Sequence, residues 1–248
     1  MTKTCSELFQ GMDCTIIGNG NEEVAGLAFR SDEVAPGDMF FCIVGTVVDG
    51  HSFAQDAIDR GATSLVAERK VYLADATDVT EVVVSDSRKA MAYASANYYD
   101  NPSRAFSLVG ITGTNGKTTT TYLVEHIASV AGNRCGVIGT VGNKIAGVME
   151  HAERTTPESP DLQKLFARMR DAGCTVVAME VSSHALDLRR TWDTDFAVTA
   201  FTNLTQDHLD YHHTFDDYFE AKALLFSKDY PARRVISIDG SWGRELLR

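Results

Sequence analysis

The sequence predicts an α/β protein in two parts: a small mixed α/β N-terminal domain over residues 1–104 and a doubly wound, largely parallel sheet domain over residues 105–248. Three observations carry this. From residue 105 onward, apolar runs of strand length alternate with amphipathic runs of helical spacing, the pattern of a parallel sheet covered on both faces. The first of these strands leads straight into a glycine-rich turn and a helix, at 106–131. In the first hundred residues the β-type runs are shorter and are separated by turn signals such as Pro36-Gly37-Asp38 and Asp49-Gly50.

Taken in order, the N-terminal strands are expected at the short β-type runs 14–17, 39–44, 64–67 and 81–84. Helical spacing fills 51–60 and 87–98. The second helix ends near Asp100-Asn101-Pro102-Ser103, which reads as a linker because the residue before proline disfavours helix. Strands follow at 106–111, 135–140, 175–180, 196–201 and 234–238, with helices at 117–131, 159–172 and 216–227. In such sheets ligands gather at the carboxyl ends of the strands. The glycine-rich turn, Glu180 and Asn203 all fall at such ends. There is no internal repeat and no low-complexity segment.

Composition narrows the functional classes. Hydrophobic residues make up 44% of the 248, enough to build a core. The formal net charge of −11 argues against a nucleic-acid or membrane-surface binder, which would need a basic face. Cys5, Cys14, Cys42, Cys135 and Cys174 are scattered and never in C-x-x-C spacing. Reduced, buried thiols are therefore expected rather than a zinc ribbon or a disulfide framework. No apolar leader or run of 18 apolar residues is seen, so a cytoplasmic location is expected.

The turn reads Gly110-Ile111-Thr112-Gly113-Thr114-Asn115-Gly116-Lys117-Thr118-Thr119. Strand, glycine-rich turn ending in Gly-Lys-Thr, and helix together make a phosphate cradle of the P-loop type. Backbone N–H groups at a helix start face the anion, and the helix dipole favours negative charge there. Gly113, Thr114, Asn115, Gly116, Lys117, Thr118 and Thr119 are the expected ATP-binding residues. Lys117 would reach the β- and γ-phosphates, and the Thr118 hydroxyl would ligate Mg²⁺. The match departs from G-x-x-x-x-G-K-[ST] at one place: Ile111 stands where the first glycine belongs, flanked by Gly110 and Gly113.

Four further stretches could serve that cradle. Glu180 closes an apolar strand, where a carboxylate commonly meets nucleotide-bound Mg²⁺; the alternative is an exposed strand-end glutamate. The run from Asn203 to His213 holds His208, His212 and His213 with Asp207 and Asp210. It reads as a zinc site lacking H-E-x-x-H, as a solvated polar loop, or as one metal ligand with orienting neighbours. By sequence alone Lys222 is a helical lysine whose apolar stem would lie along the surface with its charge in water. Thr155 or Thr156, before Pro157 and Glu158, looks like the N-cap of the next helix.

Together, G-I-T-G-T-N-G-K-T-T, T-T-P-E, E-V-S-S-H-A-L, N-L-x-x-D-H-L-D-Y-H and A-K-x-L-L-F resemble the Mur ligase family, in its UDP-N-acetylmuramyl-tripeptide synthetase (MurE-type) branch. The resemblance extends back to V-A-P-G-D-M-F at 34–40 and G-T-V-V-D-G at 45–50, so it covers essentially the whole chain. It implies a ligase that uses ATP to phosphorylate the D-glutamate carboxylate of UDP-N-acetylmuramoyl-L-alanyl-D-glutamate. The acyl phosphate is then attacked by the amine of a diamino acid, meso-diaminopimelate or L-lysine.

By the same resemblance, Lys117 stabilises the transferring phosphoryl group, Thr118 and Glu180 hold one Mg²⁺, and His208 holds a second. Lys222 is implied to be carbamylated and to bind that second ion. Thr155, Thr156, Ser182 and Arg190 would contact the muramyl-dipeptide portion, and Ser31, Thr46, Val47 and Val48 the uridine diphosphate. Two positions depart from the family: Arg30-Ser31-Asp32 replaces D-S-R, and Leu188 stands where a glutamine is common. Family members also carry a third domain beyond this length. The implied expectations are a monomer with no nucleic-acid or membrane partner, whose amide-forming turnover is absent or very weak. The alternatives are a folylpolyglutamate-synthetase-like ligase and a non-catalytic nucleotide-binding remnant.

Overall fold

The structure, a computed structural model, describes residues 2–45, 48–72 and 79–248. It divides into two compact units, Met1–Asp100 and Asn101–Arg248.

The first unit begins with strand β1 (Lys3–Thr4) and helix α1 (Cys5–Leu8). Thr4 and Glu7 cap that helix reciprocally, each side chain satisfying the other's backbone N–H. Strands β2 (Thr15–Ile17), β3 (Glu23–Val24), β4 (Gly26–Ala28) and β5 (Asp38–Phe41) follow. Then come helix α2 (Ala54–Asp59), strands β6 (Ser64–Ala67) and β7 (Thr80–Val83), and helix α3 (Ser87–Tyr98). Among the described residues β1 pairs with β3, and the others form one sheet in the order β2-β7-β6-β5-β4, antiparallel only between β2 and β7. Neighbouring side chains on a strand face opposite ways. Phe41 accordingly joins Leu8, Val66, Val82 and Met91 in one core, while Phe40 joins Leu65, Ala54 and Ala57 in another.

Two expectations for this unit need correction. The strand expected at 39–44 stops at Phe41, because the chain turns at once: Ile43 N–H donates to Phe41 O at 3.0 Å and Gly50 N–H to Ile43 O at 2.8 Å. The helix expected at 51–60 starts as a 3-10 turn, Gly50–Phe53, and becomes α-helical only at Ala54. The Asp49 carboxylate fixes that turn by accepting from His51 N–H at 3.0 Å.

The second unit opens with a 3-10 turn at Pro102–Ala105, whose Pro102 and Ser103 are buried, so the expected linker is packed structure. Strand β8 (Ser107–Thr112), helix α4 (Lys117–Val130) and strand β9 (Cys135–Ile138) come next, then strands β10 (Asn143–Ile145) and β11 (Val148–Glu150). Helix α5 (Ser159–Asp171), strand β12 (Val176–Glu180), helix α6 (Ser183–Asp187) and strand β13 (Val198–Phe201) follow. Helices α7 (Leu209–His212) and α8 (Phe215–Ala223), strand β14 (Arg233–Ile236) and helix α9 (Ser241–Glu245) complete the unit. The sheet order is β11-β10-β9-β12-β8-β13-β14. Strands β9, β12, β8, β13 and β14 are mutually parallel, with β10 and β11 added antiparallel at one edge. Chain order thus reverses around β8, the switch point at which such sheets open a crevice beyond their carboxyl ends.

The largely parallel α/β architecture is as expected; the β10–β11 hairpin is an addition. Its two-residue turn has Ala146 at φ 48° and Gly147 at φ 96°, the doubly left-handed turn that fits strand twist. The helix expected at 216–227 is α-helical only to Ala223 and ends in a 3-10 turn, Leu224–Phe226. Leu162, Leu165, Phe166 and Met169 of α5 pack with Leu108, Ile138, Val177 and Met179 of the sheet. Cys5, Cys42, Cys135 and Cys174 are buried and all five cysteines are free thiols. Among the described residues no helix is long and apolar enough to cross a membrane.

Phe166 is fully buried, its ring 5.7 Å from that of Phe106. Phe166→Ala should lower unfolding free energy by about 3–5 kcal/mol in a denaturant titration; a loss below about 1 kcal/mol would contradict this packing.

Candidate active site

The glycine-rich turn leaves the tip of β8 and is sewn to the segment that leaves the neighbouring tip of β13. Thr114 N–H donates to Asn203 O at 2.9 Å, and Asn115 N–H to Asn203 Oδ1 at 3.0 Å. Asn203 Nδ2 and Thr202 Oγ1 both donate to Asn115 O, at 3.1 and 2.7 Å. The Thr114 hydroxyl lies 3.2 Å from Thr205 O, 3.0 Å from Thr205 N and 3.1 Å from the Tyr218 hydroxyl. This approach requires glycine at 113. Its φ is +138°, and a Cβ there would lie 2.0 Å from Thr202 Oγ1. Gly116 caps α4, whose first helical bond runs from Thr120 N–H to Gly116 O. The N–H groups of Lys117, Thr118 and Thr119 precede that bond and belong to the donor-rich end of the helix.

Two lysines converge on this turn. Lys117 Nζ donates to Gly113 O and Thr114 O, both at 2.9 Å. Lys222 Nζ donates to Gly113 O at 3.1 Å and sits 4.4 Å from the centre of the Tyr218 ring. Lys222 is 1% exposed, so the expected surface position is wrong: the face of α8 that carries it turns inward onto the turn. Burial pushes the Lys222 amine down to about 7; the Lys117 cation adds to the shift and Asp207 opposes it. Burial also lowers Lys117, against the attraction of Glu180 and Asp207.

Glu180, at the tip of β12, is buried and forms the other corner. Its Oε2 accepts from the Thr118 hydroxyl at 3.0 Å and the Thr140 hydroxyl at 3.2 Å, and its Oε1 from Thr140 N–H at 2.9 Å. A hydroxyl and a carboxylate side by side, at the foot of a phosphate cradle, suit a hard divalent ion that keeps phosphate and water ligands. Among the described residues no group of three or more His, Cys, Asp and Glu side chains is arranged to hold a metal. An all-protein zinc site in the 203–213 segment therefore has no geometry behind it. The donor set fits Mg²⁺ arriving with a triphosphate.

Thr114, Asn115, Gly116, Lys117, Thr118, Thr155, Glu180, Ser182, His208 and Lys222, with Thr140 and Ser183, line one cavity of about 330 Å³. His208 is held at φ 51°, a left-handed conformation, directly before α7. Its ring stacks edge-on against His184 at 4.8 Å. Behind it, His212 bonds Ser183 Oγ through Nε2 at 2.9 Å. Burial lowers both His184 and His212, with His208 adding to each.

Other expected residues lie outside that lining. Thr119 is exposed on α4. Thr156 is buried, its hydroxyl donating to Glu180 O at 2.8 Å and accepting from Ser182 N–H at 3.1 Å. It does not cap α5, whose N-cap is Glu158 without a side-chain cap bond. Arg190 donates to Thr156 O at 3.1 Å and pairs with Glu158 at 2.9 Å, bracing the Thr155–Thr156 segment from behind. In the first unit Ser31 starts a 3-10 turn and Val48 is 51% exposed. Thr46 and Val47 lie outside the described residues.

A sequence profile described as the Mur ligase middle domain matches residues 111–248, more than half of the chain. One described as the Mur ligase family catalytic domain matches residues 23–111. The chain belongs to the Mur ligase family. Among its relatives, a UDP-N-acetylmuramoyl-L-alanyl-D-glutamate–2,6-diaminopimelate ligase of Clostridium botulinum is 43% identical over 97% of this chain and 50% of that protein. A ligase of the same name from Geobacillus thermodenitrificans is 50% identical over 84% of this chain and 42% of its own length. A solved structure bearing that ligase name superposes with a TM-score of 0.83 at 26% identity, over 100% of this chain and 49% of that one. This Mur ligase chain therefore spans about half the length of the curated relatives it matches.

Thr140, Thr202, Thr205, Ser183 and Tyr218 escaped the sequence reading. Hydroxyls at strand tips carry no spacing signal. Tyr218, however, stands four residues before Lys222 on α8 and thus on the same helical face.

The buried lysine gives a pH signature. The folded amine titrates near 7 and the unfolded one near its ordinary value of about 10.4. Between them the unfolded chain binds more protons, so stability rises with pH across that window. In CO2-depleted buffer, the stability of Lys222→Met relative to wild type should be greatest at pH 7 and below and should shrink toward pH 10. A difference constant from pH 6 to 10 would contradict a depressed Lys222.

Proposed function

We propose that the chain is part of a cytoplasmic, ATP-dependent amide ligase of peptidoglycan precursor synthesis. The reaction adds a diamino acid to UDP-N-acetylmuramoyl-L-alanyl-D-glutamate through an acyl phosphate. The names of the relatives favour 2,6-diaminopimelate over L-lysine. In this reading residues 1–104 hold the uridine diphosphate portion, through Ser31 and the loop at Thr46, Val47 and Val48. Residues 105–248 hold the nucleotide, and the protein acts as a monomer. The observation that carries the reading is the convergence of Lys117, Thr118, Glu180, His208 and Lys222 on one polar cavity at the carboxyl ends of the sheet.

When bound, ATP with Mg²⁺ supplies the phosphoryl group and neutralises its charge. The protein's part is to position and to stabilise. The α4 N-terminus and the 113–116 turn offer N–H donors to the phosphates. Lys117, once released from the Gly113 and Thr114 carbonyls, would place its cation against the transferring oxygens. Thr118 and Glu180 would hold one Mg²⁺. The neutral fraction of the Lys222 amine, substantial at pH 7, is the form that adds CO2, giving a carbamate and releasing a proton. With His208 that carbamate would hold the second ion. Thr155 and Ser182, which also line the cavity, would meet the muramyl dipeptide, with Thr156 and Arg190 supporting them.

Titrating a non-hydrolysable ATP analogue with Mg²⁺ should show saturable binding. Lys117→Ala should weaken it at least tenfold, about 1.4 kcal/mol. Absence of binding by wild type, or equal affinity in the variant, would refute the reading.

A further inference from the structure

Thr140 follows β9 at its carboxyl end and belongs to none of the motifs that mark the cradle. It is exposed, yet it makes three polar contacts at the heart of the cavity. Its N–H donates to Glu180 Oε1 at 2.9 Å, its hydroxyl lies 3.2 Å from Glu180 Oε2, and the same hydroxyl lies 3.0 Å from Thr155 Oγ1. A carboxylate can only accept, so the single hydroxyl proton of Thr140 goes to Glu180. Thr155 must then donate to Thr140. The bonds run in one direction, from Thr155 to Thr140 to Glu180, and Thr118 donates to the same carboxylate oxygen from the other side at 3.0 Å.

The Glu180 carboxylate is closely packed against the backbone. It lies directly over Gly139, where a Cβ would approach Oε1 to 2.3 Å. Among the described residues, the hydrogen bonds to the Glu180 carboxylate come from Thr118 and Thr140. A metal held by Thr118 would take a lone pair of that hydroxyl, and its single proton would remain free to donate to Glu180. Thr140 alone of the two engages both carboxylate oxygens, Oε1 through its N–H and Oε2 through its hydroxyl, and so fixes the plane of the carboxylate. Groups that orient a ligating carboxylate in this way typically change metal affinity 10- to 100-fold when removed.

We infer that Thr140 is a positioning residue: its hydroxyl holds the Glu180 carboxylate in the orientation that receives the divalent ion and ties that corner to Thr155. The inference rests on the nucleotide-and-metal reading of this cavity. Thr140→Val removes the hydroxyl while keeping the shape, the β-branching and the backbone N–H bond to Oε1. Thr140→Ser keeps the hydroxyl.

The test is calorimetric binding of a non-hydrolysable ATP analogue to the intact chain, in EDTA and across a Mg²⁺ series. Thr140→Val should bind the analogue in EDTA as wild type does but need at least tenfold more Mg²⁺ for the metal-dependent gain. Thr140→Ser should stay within about twofold of wild type. If wild type gains nothing from Mg²⁺, the nucleotide-and-metal reading fails and the inference falls with it. If wild type gains and Thr140→Val matches it, the inference alone is overturned. A valine variant weakened equally with and without Mg²⁺, or a serine variant as weak as valine, also overturns it.

Discussion

The hydrogen bonding of the 113–116 turn to the Thr202–Thr205 segment is the constraint on which the rest of the site depends. A glycine-rich turn on its own is among the least ordered pieces of a chain, because glycine loses the most conformational freedom on folding. Here the turn is held by backbone and side-chain bonds from Thr202, Asn203 and Thr205. Each contributes on the order of 1 kcal/mol. These bonds form because β8 and β13 are parallel neighbours in register, Thr112 opposite Phe201, so that both chains leave the sheet at the same height. Donors held in place before the ligand arrives need not reorganise when charge develops, and that is the source of most electrostatic catalysis.

The same turn explains why two lysines can be buried beside one another. Lys117 and Lys222 share the Gly113 carbonyl, and the ring of Tyr218 lies under Lys222. Like charges in a desolvated space favour the neutral form of one of them. Lys222 is the more deeply buried and gives way. The fold therefore holds two lysines on one carbonyl, and the more deeply buried Lys222 amine is the one brought down to about 7. Tyr218 links that amine to the turn, its hydroxyl on Thr114 and its ring beneath Lys222.

Local pattern made much of this legible. Helix α3 spans the residues of helical spacing, 87–98, because Asp86 caps it with bonds to the N–H groups of Arg88 and Lys89. Strand β6 also coincides with its apolar run at 64–67. Where the reading failed, a long-range contact had overruled a local preference. Thr156 looked like a helix cap, but its hydroxyl bonds the Glu180 carbonyl 24 residues away. The β10–β11 hairpin was hidden because Ala146 occupies a left-handed position that usually announces itself with asparagine or glycine. Lys222 could not be placed inward from helical spacing, since its burial depends on which surface α8 meets. Thr140, Thr202 and Thr205 act through backbone groups and single hydroxyls, which are too common on any surface to signal a site.

A crystal of this chain grown with Mn²⁺ and a non-hydrolysable ATP analogue tests the central claim most directly. The expected result is an anomalous peak beside Thr118 Oγ1 and Glu180, with the β- and γ-phosphates against the 113–118 backbone and Lys117 turned from the Gly113 and Thr114 carbonyls onto the phosphates. A metal bound away from Glu180, or phosphates lying elsewhere while Lys117 keeps its carbonyl bonds, would contradict it.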